Sequence, residues 1–385
     1  MRKDEVRALL CRSRTGRRTV GCMLTEHDLA RWRLRSQFLV TPHAPAAVDV
    51  VRGLLAVQAE NVAQSGWAVA ARTATPTPDD LRHLLDEGRV IRTHVLRPTW
   101  HYVAAEDIGW LLDLTAPRLR TLVLRQLHRD HGLTTSDLDR MGSVVVDALG
   151  REPHRTRDEV AAALRAGGID TTGAVLMTFL ALLEFDQLVC SGRPREGVHT
   201  YALFADRVPA APRLDRAESL AALALRYFTG HGPATEKDLA YWATLPLGEV
   251  RTAIAEVRDQ LGSFEHQGRT FWHARESECP SGSLKPQGHL LQVLDEMYRG
   301  YQDSRMVLDA RGVVPAGRET ALGMALVDGQ LVARMKRTVG QRVVFDLEPY
   351  DGALSRAERD ALDEAAARYG AFLGLEPVVT VATPG

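Results

Sequence analysis

The chain has 385 residues, a formal net charge of −1 and 45% hydrophobic residues, enough for more than one domain with a core of its own. No apolar run reaches the roughly 18 residues that cross a bilayer, and the N-terminus lacks the apolar stretch of a signal peptide. Four scattered cysteines without a C-x-x-C pair argue against a cysteine zinc site or a disulfide framework and suit a reducing cytoplasm. The balanced charge counts against a dedicated non-specific DNA coat protein, but a local basic face can still bind phosphate. Of the 48 basic residues only Lys3, Lys237, Lys285 and Lys336 are lysine. Arginine suits phosphate and base-edge contacts, and genome base composition produces the same bias.

Residues 1–22 carry Arg2, Lys3, Arg7, Arg12, Arg14, Arg17 and Arg18 against Asp4 and Glu5. They read as a loose extension before Met23, or as a basic arm that adds DNA affinity. Next comes "LTEHDLARWRLRSQFL", an amphipathic helix with Thr25 as N-cap. "APAAVDVVRGLLAVQ" is a second helix, with Ala47, Val51, Leu54 and Leu55 on one face. "AQSGWAVAARTA" is a third. "TPDDLRHLLDEG" is a fourth, with Thr77 as cap, Pro78 at N1 and Gly88 past its end. "VIRTHVLRPTWHYVA" reads as two β runs joined by a tight turn at Pro98. Helices closed by a β-hairpin describe a winged helix.

The pattern recurs twice. "TRDEVAAALRAGG" and "TTGAVLMTFLALLEFDQ" precede the hairpin "LVCSGRPREGVHTYALF", whose loop holds Arg193, Arg195 and Gly197. "RAESLAALALRYFTGHG", "TEKDLAYWATL" and "PLGEVRTAIAEVRDQLG" precede "SFEHQGRTFWHA", with Thr235 as a cap and Gln267-Gly268 as the turn. After the linker "SECPSGSLKPQG", two β runs turn at Asp328-Gly329 and a helix spans about Ser355 to Leu373. The expected class is α+β, with three tandem winged helices and a β-rich C-terminal α+β domain. The expected boundaries are an extension at 1–22, a first winged helix with a helical extension at 23–150, a second at 151–212, a third at 213–276, and the linker with the C-terminal domain at 277–385.

No phosphate-cradling, dinucleotide, nucleophile-elbow, zinc-peptidase or EF-hand motif occurs. His94 and His101 share a hairpin without a visible third ligand, so neither a metal nor another cofactor is expected. One stretch is odd: "LAVQAEN", where Gln58 and Glu60 follow an apolar run. On a continuing helix Glu60 lies about 200° round from Gln58 and the two cannot act together. If the helix breaks near Gln58, the residues run extended and both side chains face one way. The residues alone leave open a plain alternative, in which Gln58 bonds nearby backbone and Glu60 is solvated.

The stretches "GLLAVQAEN", "SGWAVAART", "RVIRTHVLRPTWHYVAAEDIGWLLDLTAPRL", "YFTGHGPATEKDLAYW" and "LLQVLDEMYRGYQDSRMVLD" together resemble the tandem winged-helix proteins of the AlkZ/YcaQ type. The likeness runs from about Leu24 to Leu373. It implies a DNA-binding concavity and glycosylase action on bulky N7- or N3-alkylated purines, with unhooking of interstrand crosslinks. The family's catalytic motif of glutamine, an apolar residue and then glutamine or aspartate maps onto Gln58, Ala59 and Glu60. Glu60 departs from it by one methylene but keeps a carboxylate. No lysine lies near the motif in sequence, so a Schiff-base lyase step is not expected.

Arg97, Thr99 and His101 are expected to project from the first hairpin toward the groove, with Trp100 and Tyr102 packed inward. Arg92, Arg97, Arg118, Arg125, Arg193 and Arg195 are the candidate phosphate contacts. The expected partner is alkylated or crosslinked double-stranded DNA, bound by a monomer. The competing readings are a non-catalytic DNA-binding regulator or damage sensor, and a protein-binding scaffold. The mixed charges of "PLGEVRTAIAEVRDQLG" make it a poor major-groove reader.

Overall fold

The computed structural model describes residues 24–171, 173–211, 214–280, 285–315 and 323–382; the basic extension lies outside the described residues. The first group comprises α1 (Glu26–Ser36), α2 (Ala47–Leu54), β1 (Ala56–Gln58), α3 (Val62–Ala70), α4 (Pro78–Glu87), β2 (Val90–His94) and β3 (Trp100–Ala104). Local chemistry explains its helix ends. Thr25 and Asp28 form a capping box. The Thr77 side chain accepts the Asp79 N–H, Pro78 opens α4, and Gly88 closes it in the left-handed region.

The second helix stops earlier than its periodicity predicts. Leu55 adopts φ 65° and ψ −42°, a strained conformation for a branched residue, and the chain leaves as β1. This short strand joins an antiparallel sheet of order β1-β3-β2. Alternative pairing beats helical continuation because β3 offers a free edge. The connection between β2 and β3 is also longer than a tight turn at Pro98: residues 95–99 form a loop in which Arg97 N–H reaches the Val95 carbonyl and Thr99 N–H the Arg97 carbonyl, each at 2.7 Å.

Two helices, α5 (Ile108–His131) and α6 (Thr135–Arg151), lead to a second group: β4 (Arg155–Thr156), α7 (Arg157–Ala166), α8 (Gly173–Phe185), β5 (Val189–Ser191), β6 (Thr200–Leu203) and short α9 (Phe204–Arg207). Its sheet has the order β4-β6-β5. The third group is α10 (Arg216–His231), α11 (Glu236–Trp242), α12 (Leu247–Glu256) and the hairpin β7 (Leu261–His266) with β8 (Arg269–Ala274). The C-terminal part holds β9 (Gly288–Leu291), α13 (Glu296–Arg299), β10 (Gly323–Val327), β11 (Gln330–Val339), β12 (Val343–Pro349), α14 (Arg356–Leu373) and β13 (Pro377–Val381). Its sheet runs β13-β12-β11-β10-β9, antiparallel except for the parallel β12–β13 pair. No helix among the described residues is long and apolar enough to cross a membrane.

One hydrophobic core runs through the three helical groups. A second joins the C-terminal sheet and α14 to Leu34, Leu39, Trp67 and Ala70. Trp67 packs on Tyr369 and Phe372, with ring centroids 4.5 and 5.3 Å away. The third group meets the first where α10 crosses α2. There a Cβ on Gly230 would lie 2.3 Å from the Gly53 carbonyl oxygen, so only glycine permits the approach.

The C-terminal part is also tied in by polar contacts. Arg72 and Asp295 form a fully buried pair at 2.7 Å, and Gln37 accepts a second Arg72 N–H at 2.7 Å. Removing one partner leaves a charge stranded. Arg72→Ala is expected to cost about 3–5 kcal/mol in urea unfolding, and Arg72→Met with Asp295→Leu to cost less than either single change.

Candidate functional site

Gln58 ends β1 opposite His101 of β3 and is 3% exposed. Its backbone is held from the C-terminal part: the N–H donates to Glu296 Oε1 at 3.0 Å, and its carbonyl accepts Gln292 Nε2 at 3.2 Å. Its side-chain oxygen accepts the Glu60 N–H at 2.8 Å. Glu60 is exposed, and its Oε2 accepts the Trp100 N–H at 3.1 Å. The helix break therefore links the amide of one residue to the backbone of the other, while the carboxylate reaches back to β3.

Arg92, a candidate phosphate contact from the sequence, is only 8% exposed and turned inward. Its Nε donates to the Ala59 carbonyl at 3.0 Å and Nη2 to the Glu60 carbonyl at 3.4 Å. Its guanidinium lies 4.1 Å over the Trp100 ring. Strand alternation held the signal, because Arg92 pairs with inward-facing Tyr102. The second sheet then covers this face, with Ser191 Oγ accepting the Arg92 N–H at 3.0 Å. Sequence reasoning missed His199, whose Nδ1 accepts from Arg92 Nη1 at 3.4 Å. An arginine only donates, so this histidine carries its proton on Nε2. Burial, then the Arg92 charge, lowers its pKa to about 3.

His101 does not project toward solvent as expected; it is fully buried, because it stands on the sheet face shared with Gln58. Its Nδ1 donates to the Thr99 carbonyl at 2.9 Å, which leaves Nε2 to accept from Arg97 Nη2 at 3.3 Å. Burial, then the Arg97 charge, lowers its pKa to about 3. His94, on the other sheet face, donates instead to Glu184 at 2.6 Å. Trp100 and Tyr102 are buried, as their alternation predicts.

Glu296 is the buried carboxylate behind the motif. Burial pushes its pKa up, but the hydrogen bond and charge of His231, with the Arg97 charge, bring it down to about 2. Its Oε2 accepts from His231 at 3.2 Å and from Trp242 Nε1 at 2.9 Å.

Beside the loop that joins β2 and β3 lies a groove of about 690 Å³ lined by Arg97, Thr99, Arg118, Lys237, Tyr241 and Gln302, among others; neither Gln58 nor Glu60 lines it. Arg97 and Thr99 thus reach it, and exposed Arg118 spans toward the Thr244 carbonyl at 3.4 Å. Lys237, distant in sequence from the motif, shares this groove with Thr99. Arg125 is exposed on α5. Arg193 donates to the Asp86 carbonyl at 3.3 Å, and Arg195 pairs with Glu159 at 2.5 Å; none of these three lines the groove.

A sequence profile described as DNA glycosylase AlkZ-like matches residues 51–372. The chain belongs to the AlkZ-like DNA glycosylase family. An interstrand DNA cross-link repair glycosylase of Streptomyces sahachiroi is 26% identical over 334 residues, spanning 78% of this chain and 88% of the relative. The solved structure of the Streptomyces sahachiroi DNA glycosylase AlkZ aligns with a TM-score of 0.73 and 22% identity, covering 94% of this chain and 100% of that one. At that identity the likeness speaks to the fold.

The two neutral histidines make stability pH-dependent. Both have folded pKa values of about 3, against about 6.5 unfolded. Between these values the unfolded chain binds more protons, so stability is full above about pH 6.5 and is lost as pH falls. The melting temperature is expected to drop between about pH 6.5 and 4.5, before carboxylates protonate. The double variant His101→Gln, His199→Gln is expected to show a shallower drop in the same scan.

Proposed function

We propose that the chain is a monofunctional DNA glycosylase that releases bulky N7- or N3-alkylated purines from duplex DNA. In this reading the three helical groups act as winged helices, divided near residues 150, 212 and 276, and a monomer holds the DNA along the groove. The observation that carries it is the linkage of Gln58 Oε1 to the Glu60 N–H, with the Glu60 carboxylate exposed at the helix break. It gives the motif one local geometry from a buried amide and a solvent-facing acid.

The chemistry follows from the substrate. An N7- or N3-alkylated purine is already cationic, so its glycosidic bond breaks with the electron pair passing to the base, and the base leaves neutral. Positive charge develops on the sugar, as in glycoside hydrolysis. The Glu60 carboxylate stabilises that charge and takes a proton from the water that adds to the sugar carbon. Gln58 spends its oxygen on Glu60 and keeps its amide N–H groups for that water. The extra methylene of Glu60, relative to aspartate, gives the carboxylate its reach to the Trp100 N–H. Arg92 fixes the strand from behind through the Ala59 and Glu60 carbonyls. Crosslink unhooking is the same bond cleavage on a base tethered to the opposite strand.

A sequence-reading regulator is disfavoured by α12. Its Arg251 is bound to Glu236 at 2.7 Å and its Glu249 to Arg216 at 2.8 Å, which leaves a mixed surface unsuited to the major groove. Lys237, which lines the groove, is exposed and lies 3.8 Å from Asp303, an environment that does not favour a Schiff base.

The test is free-base release from DNA bearing 7-methylguanine or a nitrogen-mustard crosslink. Gln58→Ala and Glu60→Gln are each expected to slow release about 10²- to 10⁴-fold with DNA affinity nearly unchanged, and Glu60→Asp to fall between. Borohydride is expected to trap no covalent adduct. Tight binding without release by the wild-type protein would replace this reading with the damage sensor.

A further inference from the structure

We infer that the groove between the first hairpin and the third helical group is a subsite for one backbone phosphate of the lesion-bearing strand; this rests on the glycosylase reading above. Arg97 is only 9% exposed. Two of its N–H groups are engaged, by the Arg299 carbonyl at 2.8 Å and by His101 at 3.3 Å. Both partners are neutral. Among the described residues no carboxylate lies within ion-pair distance of Arg97, and the nearby Glu296 directs its oxygens to Gln58, His231 and Trp242. A buried cation that borders an open groove, with donors to spare and no direct ion pair, feels the Glu296 carboxylate only from behind and leaves its groove side open to an anion.

A second observation points the same way. The Thr99 hydroxyl oxygen is buried and has no hydrogen-bond partner in the protein, and Thr99 lines the same groove. Desolvated hydroxyls are normally bonded, so this one lacks a partner, and rotation of the side chain about χ1 into the groove that Thr99 lines would let a ligand provide it. Lys237 and Arg118 add two cations at the rim. Tyr241 sits between Arg97, 5.6 Å from its ring, and Arg305, 5.9 Å away, while Arg299 reaches its hydroxyl at 3.4 Å. Asp303, a carboxylate next to Lys237, is approached by both Lys237 and Arg269.

The set is rich in cations and hydroxyl donors, which suits the oxygens of a phosphodiester better than a base edge. Its position names the strand. Thr99 precedes Trp100, whose N–H holds the Glu60 carboxylate, and neighbouring Cα atoms are about 3.8 Å apart. A phosphate on Arg97 and Thr99 therefore flanks the nucleotide that faces Glu60. His101 acts here as a positioning residue: it is neutral, so it accepts from Arg97 and aims it without repelling it.

The experiment uses the full chain and duplexes with a tetrahydrofuran abasic analogue, in which a single neutral methylphosphonate is moved along each strand. For the wild-type protein, one linkage beside the analogue on its own strand is expected to weaken binding about tenfold, the worth of one charge-assisted contact. In Thr99→Val and Lys237→Ala that linkage is expected to lose its special effect. Lys237→Ala is expected to lower the slope of log affinity against log salt by about one. Thr99→Val is expected to leave the melting temperature unchanged, since its hydroxyl bonds nothing in the protein, so a loss of affinity there is not misfolding. The inference is overturned if both variants keep the full penalty at that linkage, or if no linkage next to the analogue matters. Displacement of the duplex by inorganic phosphate at matched ionic strength would mark a free-phosphate site and overturn it too. The analogue has no base to release, so failure here leaves the base-release assay intact, and failed release leaves these affinities readable.

Discussion

The buried carboxylate of Glu296 is the contact on which the site depends. It gathers the backbone of Gln58, the His231 imidazole and the Trp242 indole, and so joins β1, α10 and α11 to the C-terminal part. A carboxylate in such a place is costly unless its lone pairs are filled by donors. Here they are filled by groups from three separate stretches of chain. The same short segment supplies Asp295 to Arg72 and the Gly300 carbonyl to Tyr227 at 2.7 Å. Residues 292–304 thus work as a polar rivet through the middle of the molecule, and the motif strand is fastened to it.

Behind the motif the arrangement is layered by charge state. Neutral histidines touch both arginines that flank the strand: His199 meets Arg92 and His101 meets Arg97. Each ring accepts from a guanidinium, and burial keeps it from gaining a proton that would oppose that contact. Arg92 spends its donors on peptide carbonyls and acts on the strand. Arg97 spends fewer and borders the groove. Two arginines five residues apart on one hairpin therefore serve different ends, because Arg92 stands on a β2 face that the second sheet covers while Arg97 sits in the loop beside the groove.

Much of the fold was legible because its signals are local. Thr25, Thr77 and Ser355 cap helices through contacts within three residues. Asp328 and Gly329 turn their hairpin with φ of 50° and 77°, as such a pair does. The Gln58–Glu60 pairing could be anticipated only as one of two options, because the break rests on Leu55, an apolar residue with no local signal for positive φ. The hidden features are the ones that join distant segments. Arg72 and Asp295 stand 223 positions apart, and Lys237 meets Thr99 only across a tertiary groove. Arg92 reads as an exposed cation until a second sheet is laid over its face, although its alternation with Tyr102 already gave the direction.

The crossing of α2 and α10 at Gly53 and Gly230 has a further bearing. Main chain touches main chain there, so the spacing of the first and third groups is set by peptide thickness and not by side-chain bulk. Side chains elsewhere between the two groups can be exchanged one at a time while that separation stays constant. Moving the groups apart calls for a methyl at that pivot, a change that every distant contact across the interface would feel at once.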